Sequence, residues 1–409
     1  MIRKIHVDQL RPGIFVHDFN CKMTGENVLI NQTLIKTEKA IEIIRSWGIK
    51  EVFIDTTRGL DVAHGKTVRK MPGSIDNSLH KVALKQPSVS PKIPLKEEIQ
   101  LAKNIKKEAV GIIQRALNSV QEGKPLEAGY AYDLIGKMEE SVTRNQDALI
   151  LLTRIKKKDE YTLMHSISVG SLVLAFCKFC KIPHEMTMSL AVGALFHDVG
   201  KTKVPLSILN KPGKLSDEEF KIMKRHAEYS AKAMEKAKDL PPEAHDMAMH
   251  HHERFDGSGY PNGLKGNEIQ FGSQMAAICD VYDAITSARC YKKALDSVKG
   301  LKKIYEWSDF HFNKELAFKF IRCIGVYPIG SCVKLENNLI GVVIGSTDNI
   351  LQPVTRVFYD DRKKAEIPIQ DLDLSRMGVN VSCYESSEKW DIDKMNIFPD
   401  IAGEANPFS

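Results

Sequence analysis

The sequence predicts a mainly α-helical protein: a helical bundle preceded by a small α/β N-terminal region and followed by a small β module. Three observations predict it. From about Glu97 to Arg322, apolar residues recur at three- and four-residue spacing, the period of one helix face. Before that, short apolar runs mix with one helical run. After about Val326, β-branched runs alternate with turn signals. A length of 409 residues also exceeds one ordinary domain.

In chain order, Ile14-Phe15-Val16 and Val28-Leu29-Ile30 look like strands, Thr37 to Trp47 helical, and Glu51 to Asp55 a further strand. These form an expected α/β region over residues 1–70. Residues 71–96 are rich in Pro, Gly, Ser and Lys, as in Met71-Pro72-Gly73-Ser74 and Pro87-Ser88-Val89-Ser90-Pro91, and read as a flexible linker. The helical domain is expected over 97–325, with runs through Ile99 to Leu117, Ala131 to Met138 and Ala148 to Ile155. Ser216-Asp217-Glu218-Glu219 has the form of a capping box, and Pro241-Pro242-Glu243 suits a first helical turn. The β module is expected over 326–390. There Ser331 to Leu335 and Gly341 to Ile344 flank the hairpin signal Asn337-Asn338, and Thr355 to Tyr359 offers another strand. A loose tail, 391–409, closes the chain.

A net charge of +6 suits small phosphorylated ligands but falls short of the basic stripe of a nucleic-acid-polymer binder. The start, Met1-Ile2-Arg3-Lys4-Ile5-His6, has no apolar leader core. No apolar run approaches the ~18 residues that cross a bilayer. A cytoplasmic protein without a membrane segment is therefore expected. In a reducing compartment Cys177 and Cys180, a CxxC within a helical stretch and without a second pair, read as buried thiols.

Eight of the thirteen histidines fall between residues 165 and 252. Neutral imidazole is a common metal ligand, so this clustering points to a metal site. His165 lies on one helical run, His197-Asp198 ends the next, and Asp280 lies on a later one. Such residues can converge on one cation in a bundle core. His226, His251 and His252 are enough for a second ion, with Asp198 bridging because a carboxylate has two oxygens. His250 is read as a neighbour rather than a ligand. His184 and His245 are read as structural.

Taken singly, each feature has a bland explanation. A buried histidine such as His165 is usually a satisfied core residue, and His197-Asp198 is a common dipeptide. Asp256-Gly257-Ser258-Gly259 is an ordinary turn, and Arg289, Lys292 and Lys293 make a solvated helix face. Their joint occurrence reverses that balance.

In this combination the chain resembles the HD-GYP subgroup of HD-domain phosphohydrolases. The matching residues are His197-Asp198-Val199-Gly200-Lys201, Leu209 to Leu215, His251-His252-Glu253-Arg254-Phe255-Asp256-Gly257-Ser258-Gly259-Tyr260-Pro261 and Asp280-Val281-Tyr282-Asp283-Ala284. The likeness runs from about Ala148 to Leu295. The N-terminal region also looks like a segment often found before such domains.

The resemblance implies His165, His197, Asp198, His226, His251, His252 and Asp280 as metal ligands and Lys201 beside the scissile phosphate. It further implies Arg289 and Lys292 on substrate phosphates and Gly259-Tyr260-Pro261 near the substrate. The implied activity is hydrolysis of cyclic di-GMP, or in some members of 3′3′-cyclic GMP-AMP. The first product would be a linear dinucleotide with a 5′ phosphate, cut by a hydroxide that two divalent ions activate.

Some members hold a third metal through a Glu one turn before the first histidine. Tyr161 stands there, so two metals are expected. Cys290 replaces a usual Pro. Mixed His/carboxylate ligation favours iron or manganese, with zinc and nickel as alternatives. Arg289 and Lys292, three apart, would share a face of a helical continuation. The glycines before Tyr260 permit a tight loop, and Tyr260 could stack on a guanine.

Two competing functions are a mononucleotide phosphohydrolase and a silent receptor that docks a diguanylate cyclase through the loop around Tyr260. Such docking is also conceivable as an added role. The N-terminal region and the β module are read as regulatory or homodimer-forming.

Overall fold

The computed structural model describes residues 2–18, 33–46, 51–62, 66–67, 79, 82, 91–154, 161–237, 239–287, 295–308, 310–386 and 389–390. The chain divides into two compact units, Met1–Ser74 with Gly213–Ser216, and Ile75–Pro212 with Asp217–Ser409.

The first unit contains β1 (Ile2–His6), β2 (Phe15–Asp18), β3 (Thr33–Leu34), α1 (Glu38–Ser46), β4 (Glu51–Asp55) and β5 (Lys66–Thr67). The strands form one sheet in the order β3-β2-β4-β1-β5. Its neighbours pair antiparallel. Ile5, Val16, Val52 and Ile54 bury one cluster with Ile41 and Ile44 of α1, which lie three apart and so on one helix face. Strand β1 was not expected, because Ile2-Arg3-Lys4-Ile5-His6 lacks the apolar alternation that marks a half-buried strand. The strand expected at Val28 to Ile30 lies outside the described residues.

In the second unit, Leu79 and Val82 are helical and buried, although they fall within the stretch read as a linker. Then come α2 (Leu95–Glu122), α3 (Gly129–Arg154, broken at Asn145 by φ −158° and ψ 101°), α4 (Tyr161–Phe179) and α5 (His184–Phe196). After a 3-10 turn (Val199–Lys203) follow α6 (Leu206–Leu209), α7 (Asp217–Lys224), α8 (His226–Glu235) and α9 (Pro242–His250). Helices α10 (Phe271–Thr286), α11 (Ser297–Trp307) and α12 (Lys314–Ile324) complete the bundle. Pro241 and Pro242 occupy the N-cap and first turn of α9, as their fixed φ favours.

Helix α4 corrects one expectation. Thr162–Phe179 is an 18-residue stretch of mean hydropathy 1.4, long and apolar enough to cross a membrane. It is 83% buried inside the protein, and it packs on α2, α3, α5, α10 and α12. A helix apolar all round belongs in the centre of a bundle, and its polar interruptions, His165 and Ser168, are where the chemistry enters. Cys177 lies in the same helix, and burial pushes its thiol up to about 12, as expected of an inert core thiol.

The β module consists of β6 (Cys332–Leu335), β7 (Leu339–Gly345), β8 (Val354–Asp360), β9 (Ala365–Asp373), the turn of helix α13 (Leu374–Met377) and β10 (Val381–Tyr384). Its sheet runs β10-β6-β7-β8-β9. The β6–β7 hairpin turns at Asn337-Asn338, where Asn338 adopts φ +66°. Ser346 donates to the buried Asp147 carboxylate (2.7 Å), and the Tyr384 hydroxyl bonds Asp296, which joins the module to the bundle.

Candidate active site

Three histidines reach the centre by one local device. His197 and His251 sit at the C-caps of α5 and α9, and His226 follows the end of α7. The last carbonyls of a helix have no intrahelical partner. Each imidazole uses one: the Nδ1 atoms of His197, His226 and His251 donate to the carbonyls of Ala194, Met223 and Ala248 at 2.7, 2.7 and 2.8 Å. A carbonyl only accepts, so Nδ1 carries the proton and Nε2 keeps its lone pair. His165, inside α4, does the same with a carboxylate, donating from Nδ1 to Asp283 Oδ2 at 2.6 Å. Asp283 is in turn held by the hydroxyls of Ser168 (2.5 Å) and Ser287 (3.1 Å).

The freed Nε2 atoms face carboxylates. His165 Nε2 lies 3.0 Å from Asp280 Oδ1. Asp198 stands between two sets of ligands. Its Oδ2 is 3.5 and 3.4 Å from the Nε2 atoms of His165 and His197, and its Oδ1 is 3.4 and 3.8 Å from those of His226 and His251. His252 Nε2 lies 3.1 Å from His226 Nε2, and its Nδ1 lies 3.6 Å from Asp280 Oδ2. Two groups result: His165, His197 and Asp280, and Asp198, His226, His251 and His252, each able to offer its donor atoms within 4.8 Å of one another.

Gly200 makes this convergence possible. A Cβ there would lie 2.2 Å from the His226 carbonyl and 2.4 Å from the Ser230 amide, so only glycine lets the His197-Asp198 turn seat against α8.

These residues fit a metal. His197 Nε2, Asp198 Oδ1 and His251 Nε2 are buried and make no hydrogen bond. Lone pairs that face one another without a hydrogen between them are costly, and a cation is what relieves them. Burial, the strongest influence on His226 and His251, pulls them down to about 4 and about 3, and it pulls His252 well below its ordinary value. They are therefore neutral imidazoles at physiological pH, able to act as ligands. Burial also opposes charge on His197, but Asp198 and Asp280 outweigh it and hold this imidazole above its usual value. Burial likewise works against ionised Asp198 and Asp280, yet the surrounding cationic and hydrogen-bonding groups, Lys201 foremost for Asp198 and His165 for Asp280, keep both carboxyls well below the ordinary range. Lys201 Nζ bonds Asp198 Oδ2 at 2.6 Å. Lys201 and His252, 21% and 19% exposed, form the side of the cluster open to solvent.

Comparison with known proteins places the chain in a family. The HD domain family matches residues 139–316, and a domain of unknown function (DUF3391) matches residues 2–131. Cyclic di-GMP phosphodiesterase PA4108 of Pseudomonas aeruginosa is 33% identical over 395 residues, covering 95% of this chain and 94% of that protein. The chain belongs to the HD-GYP family of cyclic-dinucleotide phosphodiesterases. It is also similar to 3′3′-cGAMP-specific phosphodiesterase 1 of Vibrio cholerae, 36% identical over 36% of this chain and 34% of that one. Among solved structures it is similar to Bd1817, a HDG"Y"P protein from Bdellovibrio bacteriovorus, with a TM-score of 0.44 and 18% identity over 79% of this chain and 98% of that one.

The HD-GYP signature loop lies beside the second ligand group. The Tyr260 ring is 4.7 Å from that of His252 and also neighbours His226 and Phe220. Lys224 Nζ lies 5.6 Å above the Tyr260 ring. The Tyr260–Pro261 bond is cis. At Gly259 a Cβ would strike the Arg254 amide at 2.4 Å and Glu253 Cα at 2.5 Å, so the loop lies directly on the segment that carries His251 and His252.

Glu253 fixes the loop: its buried carboxylate accepts the amides of Asn262, Gly263 and Leu264 at 2.7, 3.0 and 3.1 Å. Glu253 and Asp283 stand within the sequence motifs, which by themselves assign them no role. A carboxylate one residue after a ligand, or three after it on the same helix, is the signal that was available.

His250 is held by Asp246 (2.8 Å) and Asn262 (3.0 Å) and belongs to neither ligand group, and His184 pairs with Glu139. The helical continuation expected after Asp280 ends at Thr286, because Ser287 is extended. Arg289, Lys292 and Cys290 lie outside the described residues.

Proposed function

We propose that this HD-GYP protein hydrolyses cyclic di-GMP, with 3′3′-cyclic GMP-AMP as the alternative substrate, to a linear dinucleotide bearing a 5′ phosphate. One observation carries the proposal: a single carboxylate, Asp198, presents one oxygen to each of two histidine-rich ligand groups. Cyclic-dinucleotide phosphodiesterases among the relatives support it.

His165, His197, Asp280 and Asp198 Oδ2 would hold one divalent ion, and Asp198 Oδ1, His226, His251 and His252 a second. Iron or manganese suits this mixture of imidazole and carboxylate. Such ions, when bound, neutralise phosphate charge and lower the pKa of water.

The protein's own groups do the rest. The tautomers fixed by the carbonyls of Ala194, Met223 and Ala248 hold the nitrogen lone pairs inward before any ligand arrives. Lys201 brings an ammonium to the open side, where it can neutralise a phosphate oxygen or protonate the leaving 3′ oxygen. Tyr260, fixed by Gly259 and Glu253, offers an aromatic face on which a base can stack.

Product analysis on both cyclic dinucleotides, with iron, manganese and zinc supplied in turn, tests the proposal. A 5′-phosphorylated linear dinucleotide is the expected product. Hydrolysis of mononucleotides such as (p)ppGpp or dNTPs, without action on either cyclic substrate, would contradict it.

A further inference from the structure

A second cleft lies apart from the histidine cluster, where the C-terminal ends of α4 and α12 meet the loop between β7 and β8. It is a shallow cleft whose mouth is open to solvent, and not an enclosed cavity. Lys178, Arg322, Gln146, Ser346 and Asn349 line it, and no carboxylate does.

No carboxylate pairs its cations directly among the described residues. Arg322 is only 9% exposed, and its Nε is buried without a hydrogen-bond partner. Lys178 donates to the carbonyls of Val142 (3.0 Å) and Thr143 (3.3 Å), which cap the broken turn of α3 but cancel no charge. Neither cation is ion-paired among the described residues. Both lie in the last turn of their helices, whose ends offset about half a charge each, so the cleft stays net positive.

The nearest acid, Asp147, sits behind the cleft and accepts from Ser346. Its burial pushes its carboxyl up, towards the neutral form. Burial pulls both Arg322 and Lys178 down, and it outweighs the distant charges of Glu315 on Arg322 and of Asp147 on Lys178. Neutral donors remain as well. Gln146 uses one amide hydrogen on the Cys323 carbonyl, and Asn349 uses one on Gln352, so each keeps a second.

A largely buried guanidinium whose Nε lacks a partner, an ammonium lining the same cleft and free amide hydrogens together make a receptor for a tetrahedral oxyanion. We propose that this cleft binds the phosphate group of a small phosphorylated ligand, with Arg322 and Lys178 as its charge partners and Gln146 and Asn349 as neutral donors. Helix α4 carries both Lys178, in the cleft, and His165, in the metal cluster, so the two sites share one rigid element.

Amide hydrogen exchange on the full-length protein tests this, with inorganic phosphate and a nucleoside 5′-monophosphate titrated separately. Saturable protection of residues 346–353 is expected, and the tighter of the two probes identifies which form of phosphate the cleft takes. Arg322→Gln should weaken that affinity at least about tenfold. Asn349→Asp, an exposed loop position where the fold is not at risk, should do the same by placing a carboxylate in the cleft. An effect transmitted from the metal centre would survive both substitutions. No saturable protection in the wild type, or unchanged affinity in either variant, would overturn the proposal.

Discussion

At the scale of single residues, the histidine cluster is an assembly of lone pairs held in place before any cation binds. His226 and His251 stay neutral down to about pH 4 and about 3 in the folded chain, against 6.5 for a free imidazole. Between those values the unfolded chain binds protons that the folded chain refuses, so stability of the metal-free protein must fall as pH drops from 6.5 towards 4. For His226 alone the full effect is about 3 kcal/mol. Asp198 and Asp280, held low, act in the same direction below 3.8, whereas raised His197 acts only above 6.5. Thermal melts of metal-free protein across this range should show Tm falling with acid, and a flat profile would contradict the assignment.

Asp283 belongs to the same scale. It orients His165 without touching the centre, so Asp283→Asn should lower metal affinity about 10- to 100-fold, read by metal titration. The candidate ligands were legible in the sequence, because histidine is rare and five of the seven, His197, Asp198, His226, His251 and His252, follow the end of a helix. Asp283 and Glu253 stand at short spacing from them, but spacing does not tell a carboxylate that orients an imidazole or holds loop amides from one that is merely nearby.

At the scale of elements, the signature loop is fixed from beneath by one carboxylate and one missing Cβ. Glu253→Gln would remove the charge from hydrogen bonds to three amides, each worth roughly 1.5–3 kcal/mol when charge-assisted. Faster hydrogen exchange at Asn262, Gly263 and Leu264 is the expected result, with turnover reduced while the helices keep their protection. Gly259→Ala should lower activity further, since its Cβ can be fitted only by moving backbone next to His252. Equal activity in that variant would show that the loop does not govern the site.

Helix periodicity foretold α2, α3 and α5. The 18-residue apolar stretch of α4 runs against the expectation that no such run exists, and its burial on every side removes the polar face that marks a surface helix. Strand β9 escaped notice because most of its residues are exposed and Pro368 interrupts its pattern.

At the scale of the whole molecule, the β module and the bundle fall within one compact unit, tied by Ser346 to Asp147 and by Tyr384 to Asp296. A chain that ends at residue 325 should therefore melt at lower temperature than the full chain, because it leaves Asp147 buried without its partner. Composition divided the sequence at Val326 because the repeat period changes there, and a change of period is silent about packing. The candidate metal centre is likewise a property of the whole bundle: the seven residues that could hold a metal come from α4, α10 and the ends of α5, α7 and α9, and none of these elements supplies them all.

The most direct test is turnover of cyclic di-GMP by metal-loaded full-length protein, compared with Asp198→Ala. The wild type should release the linear dinucleotide, and the variant should lose activity by about a thousandfold or more, since one carboxylate serves both ligand groups. Equal turnover by the two proteins would contradict the role given to Asp198 and to the centre built around it.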